Sequence, residues 1–252
     1  MADSSLNVGN LSGPVGFVYT GNGVGVPATF QPPGGGGGGF SNVVIQKLTA
    51  TGTYTPTSGM THCIVEMVGG GGAGGGTPSG VGGNVATSGG GGSGAYSMGV
   101  FDAATIGASK TVTIGAAGAG ASNATGGVGG ETSLGVLLTA PGGLGGIVGL
   151  NSSTRGLSAG GAGGAPGAGG SLNYPGAQGQ YSIWAGSVVS SGGQGADSFF
   201  AGGAPTSVTV DGANAIVNSG AGGGGTVVGE SGGPFAGGNG GSGVVIITEY
   251  LS

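Results

Sequence analysis

Two kinds of backbone meet between residues 61 and 76, where the sequence reads THCIVEMV (61–68) and then GGGGAGGG (69–76). The first part predicts a strand, because β-branched and apolar residues dominate it and turn-forming residues precede it. The second part has no side chain larger than a methyl group, so it cannot fill a core in the ordinary way. The order is inverted near the C-terminus, where GGNGGSG (237–243) leads into VVIITEY (244–250). We therefore expect β-strands to alternate with extended glycine helices.

Short β-like segments recur along the chain between glycine-rich stretches. They are predicted at residues 43–49, 51–54, 95–101, 110–114, 132–139, 207–210 and 215–217. Asp211–Gly212 is interpreted as a hairpin turn between Val210 and Ala215. No segment combines helical periodicity with end caps, and residues 102–105 can form one helical turn at most. Many short strands are typical of a sandwich or meander, so the fold is expected to be all-β with little or no α-helix.

The glycine segments carry a second periodicity, of three residues. Residues 159–170 read AGGAGGAPGAGG, and larger residues fall on every third position in segments 125–131, 141–150 and 236–242. A polyproline-II helix has three residues per turn, so each segment would present two bare faces and one side-chain face. Bare faces can approach closely and pair N–H with C=O laterally. We predict a short-strand β-sandwich combined with packed polyglycine-II helices. Triplet runs this short disfavour collagen, and a chance triplet phase is the alternative.

The composition limits the functional classes. Glycine accounts for 74 of 252 residues, yet 37% of residues are hydrophobic and only 4% are charged. Disordered chains show the opposite balance, so order is favoured. The net charge is −5, and Lys47, Lys110 and Arg155 lie far apart in the sequence, which argues against nucleic-acid binding. The N-terminus lacks signal-peptide features and no apolar run reaches a membrane-spanning length. We expect a soluble product made in the cytoplasm, without membrane insertion.

The sequence offers little for catalysis or metal binding. His62 and Cys63 are the only residues of their types, and they are adjacent in one predicted strand. Their side chains should point to opposite faces, which argues against a Cys–His pair and a shared metal site. Cys63 is interpreted as a small buried hydrophobe. Asp197 and Asp211 could form a carboxylate pair, but nothing in the sequence brings them together. We expect no enzyme activity, no cofactor and no bound metal.

Aromatic residues between the glycine segments are the remaining candidates for a binding surface. Those selected as receptor-binding candidates are Tyr174, Tyr181, Trp184, Phe199, Phe200 and Phe235. Rigid aromatic side chains on loops held by a stiff scaffold form many binding surfaces. Alternatively, they fill a core that is poor in large side chains, and the sequence favours neither interpretation.

Three segments divide the chain. Residues 1–33 carry scattered apolar and aromatic residues without a core of their own, so we expect them to order against another surface. Residues 34–39 are a glycine linker, and residues 40–252 form the glycine-rich body.

Six short motifs follow one another along the body: GTYTP (52–56), CIVEMVGGGG (63–72), GGGGSGAY (89–96), TVTIGAAG (111–118), GETSLG (130–135) and GGSGVVII (240–247). Their order resembles the glycine-rich domain of bacteriophage tail fibres and adhesins. Together the motifs cover residues 40–252. The resemblance implies a virion appendage, usually trimeric, whose N-terminal segment attaches to the particle and whose distal loops touch the host. It also implies polyglycine-II helices packed into a sandwich. Members share no fixed receptor residues, so none is carried over.

Two hypotheses follow from this resemblance. In the first, a homotrimeric tail fibre or tip docks on other virion proteins through residues 1–33 and binds a bacterial surface glycan or outer-membrane protein through the loops at 172–200. Its attachment candidates are Leu11, Phe17, Tyr19 and Phe30. In the second, the chain is a purely structural virion protein, a decoration or cap of capsid or tail. A cell-surface glycine-rich protein is a third possibility, disfavoured by the missing secretion signal.

Overall fold

The computed structural model describes residues 42–185 and 189–252, together with two short strands earlier in the chain. The chain divides into two compact units, residues 1–40 with Ser252 and residues 41–251. In chain order the elements are β1 (Val18–Thr20), β2 (Thr29–Gln31), β3 (Asn42–Leu48), β4 (Gly52–Tyr54), β5 (Met60–Val68), β6 (Ala86–Thr87), β7 (Tyr96–Asp102), α1 (Ala103–Ile106), β8 (Lys110–Thr113), β9 (Thr132–Leu134), β10 (Leu138–Ala140), β11 (Gly156–Ser158), β12 (Leu172–Tyr174), β13 (Ser182–Ala185), β14 (Val189–Ser191), β15 (Ser207–Val208), β16 (Thr226–Val228) and β17 (Val244–Leu251).

Two antiparallel sheets in the second unit face each other across the main core. The larger has the strand order β12–β7–β5–β17–β3, and the smaller has the order β10–β9–β8–β4. Alternation along β5 sends Cys63, Val65 and Met67 into this core. His62 is half-buried on the other face, as the alternation predicts. The two sheets form the β-sandwich that the short strands indicate.

The core between the sheets holds most of the large apolar side chains. The largest fully buried members are Tyr54, Met67, Ile106, Leu134, Leu138 and Ile247. Ile106 reaches this core from α1, a single helical turn capped by Asp102, whose Oδ1 accepts a hydrogen bond from the Thr105 N–H at 2.7 Å. No helix in the described part of the chain has the length and apolarity to cross a bilayer.

Residues 69–76 continue from the end of β5 as an extended helix whose N–H groups donate in rotation to three neighbouring segments. All eight hydrogen bonds measure 2.8–3.0 Å. The N–H groups of Gly69, Gly72 and Gly75 donate to the carbonyl groups of Ala95, Gly92 and Gly89, respectively. Those of Gly70, Ala73 and Gly76 donate to Gly130, Gly127 and Ala124, and those of Gly71 and Gly74 donate to Gly241 and Gly238. A neighbour that recurs every third residue requires three residues per turn, which identifies a polyglycine-II helix.

Three such inner segments, 69–76, 89–94 and 221–225, form the centre of a lateral lattice. They bond to one another in a triangle: Gly72 N–H donates to Gly92, Gly91 to Gly223 and Gly223 back to Gly72. The outer segments around this triangle, among the described residues, are 115–121, 124–130, 141–149, 159–164, 176–180, 193–196, 202–206, 212–216 and 236–243. Lateral bonds thus satisfy backbone groups that no sheet ladder reaches.

The predicted period of three is confirmed in the outer segments. In residues 141–149, Leu144 and Ile147 are 48% and 42% exposed, while Gly145 and Gly146 between them are buried. The larger residue of each triplet therefore faces solvent, and the glycines face the lattice. The all-β fold with packed polyglycine-II helices is the fold that the sequence predicts.

Close packing in the lattice excludes side chains from most inner positions. A Cβ atom added to Gly72 would come within 3.0 Å of the Leu144 carbonyl group, a distance that real Cβ atoms essentially never show. Ala73, fully buried in the same segment, is the position where a methyl group is accommodated. Glycine is thus required by backbone proximity here, even though it costs conformational entropy.

Three local expectations were wrong. Residues 132–139 form the hairpin of β9 and β10 rather than one strand, because Gly135 takes a φ of 50° and reverses the chain. Residues 215–217 form no strand: the Ala215 N–H donates to the Asn239 carbonyl in the lattice. Asp211 does not open a hairpin either, since its Oδ1 accepts the Ala236 N–H at 2.8 Å. Around Asp211 and Ala215, lateral hydrogen bonds to residues 236–239 thus take the place of the predicted hairpin.

Candidate ligand-binding groove

Four aromatic rings meet where the inner segment 89–94 passes into β7. Tyr96, the first residue of β7, is only 6% exposed and lies opposite Tyr174 of β12. The ring of Phe199 stacks on that of Tyr96, with centroids 3.8 Å apart and planes 20° from parallel. Phe200 meets Tyr96 edge-on at 6.1 Å. We call Tyr96, Tyr174, Phe199 and Phe200 the aromatic cluster.

The loop that carries Phe199 is fixed by its own hydrogen bonds. Asp197 Oδ1 accepts the Gly203 N–H at 2.7 Å. Ser198 Oγ accepts the N–H groups of Phe200 and Ala201 at 3.2 and 3.0 Å, and Ser198 N–H donates to the Ala201 carbonyl. These bonds form a compact turn stabilised by side-chain acceptors. Phe199 is therefore held in place although its ring is 60% exposed.

Beside the cluster lies a pocket of about 240 Å³, whose lining includes Tyr96, Tyr174, Phe199 and Asp197. A second pocket of about 220 Å³ adjoins it, because both are lined by Ala177 and Asp197. The amide side chains that line the second pocket are Gln178, Gln180 and Gln194. The two pockets together form what we call the groove, with an aromatic end and an amide end.

The walls of the groove are fastened to the inner glycine lattice. Ser93 N–H donates to the Ala177 carbonyl at 3.0 Å, and Ala177 N–H donates to Ser93 Oγ at 2.8 Å. Ala196 N–H donates to the Gly91 carbonyl at 2.9 Å. Each wall is thus bonded to the buried segment 89–94, and the groove is preorganised.

The hydroxyl group of Tyr96, which lines the groove, is occupied by a hydrogen bond within the protein. The Tyr96 hydroxyl donates to Glu66 Oε1 at 2.7 Å. Burial, followed by this hydrogen bond to Glu66, raises the pKa of Tyr96 well above its usual range. The hydroxyl therefore stays protonated and hydrogen-bonded to Glu66, and the buried ring of Tyr96 supports the ring of Phe199.

The charge of the groove is negative. Asp197 lines both pockets, whereas none of Lys47, Lys110 and Arg155, which all lie in the described part of the chain, lines either. Asp197 and Asp211, a possible carboxylate pair in the sequence, each accept a hydrogen bond from a backbone N–H, and the two N–H groups, of Gly203 and Ala236, belong to different segments.

The predicted receptor residues separate into distinct places. Tyr174, Phe199 and Phe200 belong to the aromatic cluster. Tyr181 is exposed next to the amide end, where Gln178 Nε2 donates to its hydroxyl at 3.4 Å. Tyr174, Phe199, Phe200 and Tyr181 thus lie in or beside the groove.

Trp184 and Phe235 occupy different surroundings. Trp184, in β13, is 5% exposed and lies opposite Gly156 of β11, where a Cβ atom would collide with the indole ring. The indole ring of Trp184 lies over Gly156, so the aromatic ring covers the sheet surface that the glycine leaves without a side chain. Phe235 is half-buried and its backbone pairs with Thr77. Neither residue lines the groove.

The attachment candidates lie in the first unit. Leu11 and Phe17 are outside the described residues. Tyr19 and Phe30 lie opposite each other in the antiparallel pair of β1 and β2. Their role in attachment stays a prediction.

The loops at 172–200, which the sequence predicts to bind the receptor, contain the amides Gln178, Gln180 and Gln194, but the residues predicted individually there are all aromatic. Tyr96 is predicted only as part of a strand, and its local sequence gives no reason to pair it with Phe199. Gln180 and Gln194 come together because Gln180 N–H donates to the Gln194 carbonyl between neighbouring outer segments. A polar residue at the outward position of a glycine triplet is the signal that could have identified these amides.

Comparison with known proteins assigns the family. No curated protein shows significant similarity to this chain. The glycine-rich domain family matches residues 45–250, which includes the lattice, the groove and both sheets of the sandwich except the first residues of β3 and the last residue of β17. The chain therefore belongs to the glycine-rich domain family.

Proposed function

We propose that this chain is a bacteriophage virion appendage protein, a tail fibre or its tip, that recognises the bacterial surface. Residues 1–33 attach it to other virion proteins, and the groove meets the host. The resemblance of residues 40–252 to phage tail fibres and adhesins supports the proposal. The observation that carries it is Phe199, a residue that is 60% exposed although its ring is stacked on Tyr96 beside an open pocket.

An exposed ring held in one orientation is suited to binding. Burying apolar surface yields about 25 cal/mol per Å², so leaving a phenyl ring in water forgoes stability that a ligand can recover. Because the Asp197 and Ser198 bonds fix the loop, binding requires little additional ordering. Rigid aromatic anchors with adaptable amides around them are typical of recognition surfaces.

The oligomer and the absence of catalysis are parts of the same proposal. A homotrimer would cover part of the apolar surface that the outer segment 141–149 exposes at Leu144 and Ile147. No enzyme activity is proposed, because Cys63 is buried in the core and Asp197 is engaged with a backbone amide.

A purely structural virion protein is the second candidate. The burial of Trp184, one of the predicted receptor residues, favours it, since this side chain packs within the protein. In that case the lattice stiffens or caps an assembly and the groove binds nothing.

Binding of the labelled full chain to a panel of bacterial strains separates the two candidates. Strain-selective binding that blocks adsorption of infectious phage supports the adhesin. Folded protein that binds no strain contradicts it and favours the structural role. A chain lacking residues 1–33 tests attachment separately: it should fold and bind cells but no longer assemble on particles.

A further inference from the structure

We infer that the groove binds an uncharged saccharide of two or more linked rings. This inference rests on the proposed function and names the chemistry of the receptor. It is drawn from the two ends of the groove, which differ in the groups that they present.

The aromatic end provides flat apolar surfaces at the edge of a pocket. Phe199 and Tyr174 are 60% and 52% exposed, and both line the 240 Å³ pocket. One face of a pyranose ring presents C–H groups that pack on an aromatic face by dispersion. Tyr96 supports Phe199 from behind, so the ring cannot tilt away from a ligand.

The amide end provides groups that match hydroxyls. A glutamine side chain donates two hydrogen bonds and accepts on its oxygen, and a hydroxyl both donates and accepts. Gln180 and Gln194 are exposed on hydrogen-bonded neighbouring segments. Asp197 lies between the two ends and, with Oδ1 bound to Gly203, keeps Oδ2 as an acceptor for a ligand hydroxyl.

The charge of the site disfavours anionic ligands. A phosphate, sulfate or sugar acid in the groove would face the Asp197 carboxylate with no lysine or arginine in the lining to offset it. Like charges disfavour binding, so uncharged sugars fit this site better than acidic ones. Two adjoining pockets, each with one kind of contact, fit a ligand with successive rings.

The test uses the full chain on cells of a strain that it binds. One sample of cells is oxidised with sodium periodate, which cleaves vicinal diols of sugars, and another is digested with proteinase K. We expect periodate to abolish binding and proteinase to leave it intact. Binding should also change less than about threefold between low and high salt, because no ion pair contributes.

Variants locate the site. Phe199→Ala should weaken binding at least about tenfold, and Gln194→Ala about threefold, through lost stacking and lost hydrogen bonds. Val128→Ala is the matched control, because Val128 is also 60% exposed and lies in an outer segment outside the groove lining. Gln194→Ala and Val128→Ala should unfold at the temperature of the parent chain. Phe199→Ala also loses its stacking on Tyr96, so it should unfold at a somewhat lower temperature but still be folded at the temperature of the binding assay.

Each alternative outcome has a distinct meaning. Binding that is lost to proteinase but survives periodate overturns the saccharide inference and leaves the adhesin proposal standing. Periodate-sensitive binding that is unchanged in both groove variants overturns the location. A steep loss of binding with salt overturns the uncharged ligand. Binding to no strain at all overturns the proposed function itself.

Discussion

The ring of Phe199 lies 3.8 Å from that of Tyr96, centroid to centroid, although the two residues are far apart in the sequence. Tyr96 begins a strand of the sandwich, and Phe199 belongs to a loop between two outer glycine segments. The contact therefore joins the strand part and the glycine part of the protein. It also places an exposed ring on a buried one, which is why the groove is rigid.

The hydroxyl of Tyr96 supports the fold and not the ligand. Tyr96→Phe removes its 2.7 Å hydrogen bond to Glu66 while keeping the ring under Phe199. We expect a loss of about 1 kcal/mol in the free energy of unfolding, because one partly buried hydrogen bond disappears. Cell binding should be unchanged in the folded variant. A large loss of binding without loss of stability would show that the hydroxyl contacts the ligand.

The inner lattice should tolerate no side chain at Gly72. Gly72→Ala places a methyl group against the Leu144 carbonyl, and both groups are backbone-fixed. We expect destabilisation of at least about 3 kcal/mol, measured by denaturant unfolding, because buried overpacking moves the backbone.

Gly229→Ala is the matched control for this substitution. An added Cβ at Gly229 has no atom within 4 Å. Its stability should be equal to that of the parent chain or higher by about 0.5 kcal/mol, through reduced entropy of the unfolded state. Equal effects at the two glycines would contradict the close packing of the lattice.

The buried Glu249 makes stability depend on pH. Burial by itself raises the pKa of this carboxyl, but hydrogen bonds from Thr57, Tyr54 and Gln46 to Oε1 outweigh it and hold the pKa below its usual value. The unfolded chain then takes up the proton first as pH falls. The contribution to stability is therefore complete above the ordinary carboxyl pKa of about 4.3 and is lost as pH falls below it through the folded-state pKa.

Glu249→Gln tests this dependence. The variant removes the titrating group at nearly constant volume, so its stability should vary less than that of the parent chain between pH 2 and about pH 5. Chemical unfolding across this range measures the difference between the two slopes. Identical slopes would assign the acid sensitivity to other carboxyls.

The Trp184→Ala variant distinguishes a role of this side chain in packing from a role in receptor binding. Trp184→Ala leaves a cavity over Gly156, so we expect a loss of about 3 to 5 kcal/mol and a much lower melting temperature. Protein that remains folded at low temperature should still bind cells. A stable Trp184→Ala variant with lost binding would instead make Trp184 a receptor residue.

Much of the architecture follows from local sequence. Segments rich in β-branched and apolar residues, such as β5, predict strands. Glycine segments with a period of three predict polyglycine-II helices, because that period reflects the backbone geometry itself. The arrangement of the segments does not follow in the same way. Residues 89–94 and 221–225 are chemically alike, and their places in the lattice are set by connections elsewhere in the chain.

The residues of the groove are likewise predictable from local sequence only in part. Tyr174 and Phe199 are predicted as receptor residues because they are aromatic residues between glycine segments, and both line the groove. Trp184 has the same sequence signal but is buried, because Gly156 lies opposite it on a neighbouring strand. Whether an aromatic side chain is packed or presented depends on its cross-strand partner, which a local pattern does not reveal.

The most direct test is a competition for phage adsorption by the full chain, Phe199→Ala and Val128→Ala, each shown to be folded. The proposal predicts that the parent chain and Val128→Ala block adsorption to a susceptible strain at similar concentrations. Phe199→Ala should require at least about ten times more protein, since an aromatic contact of about 1.4 kcal/mol is lost. Equal blocking by all three proteins, or by none, would contradict recognition of the host through this groove.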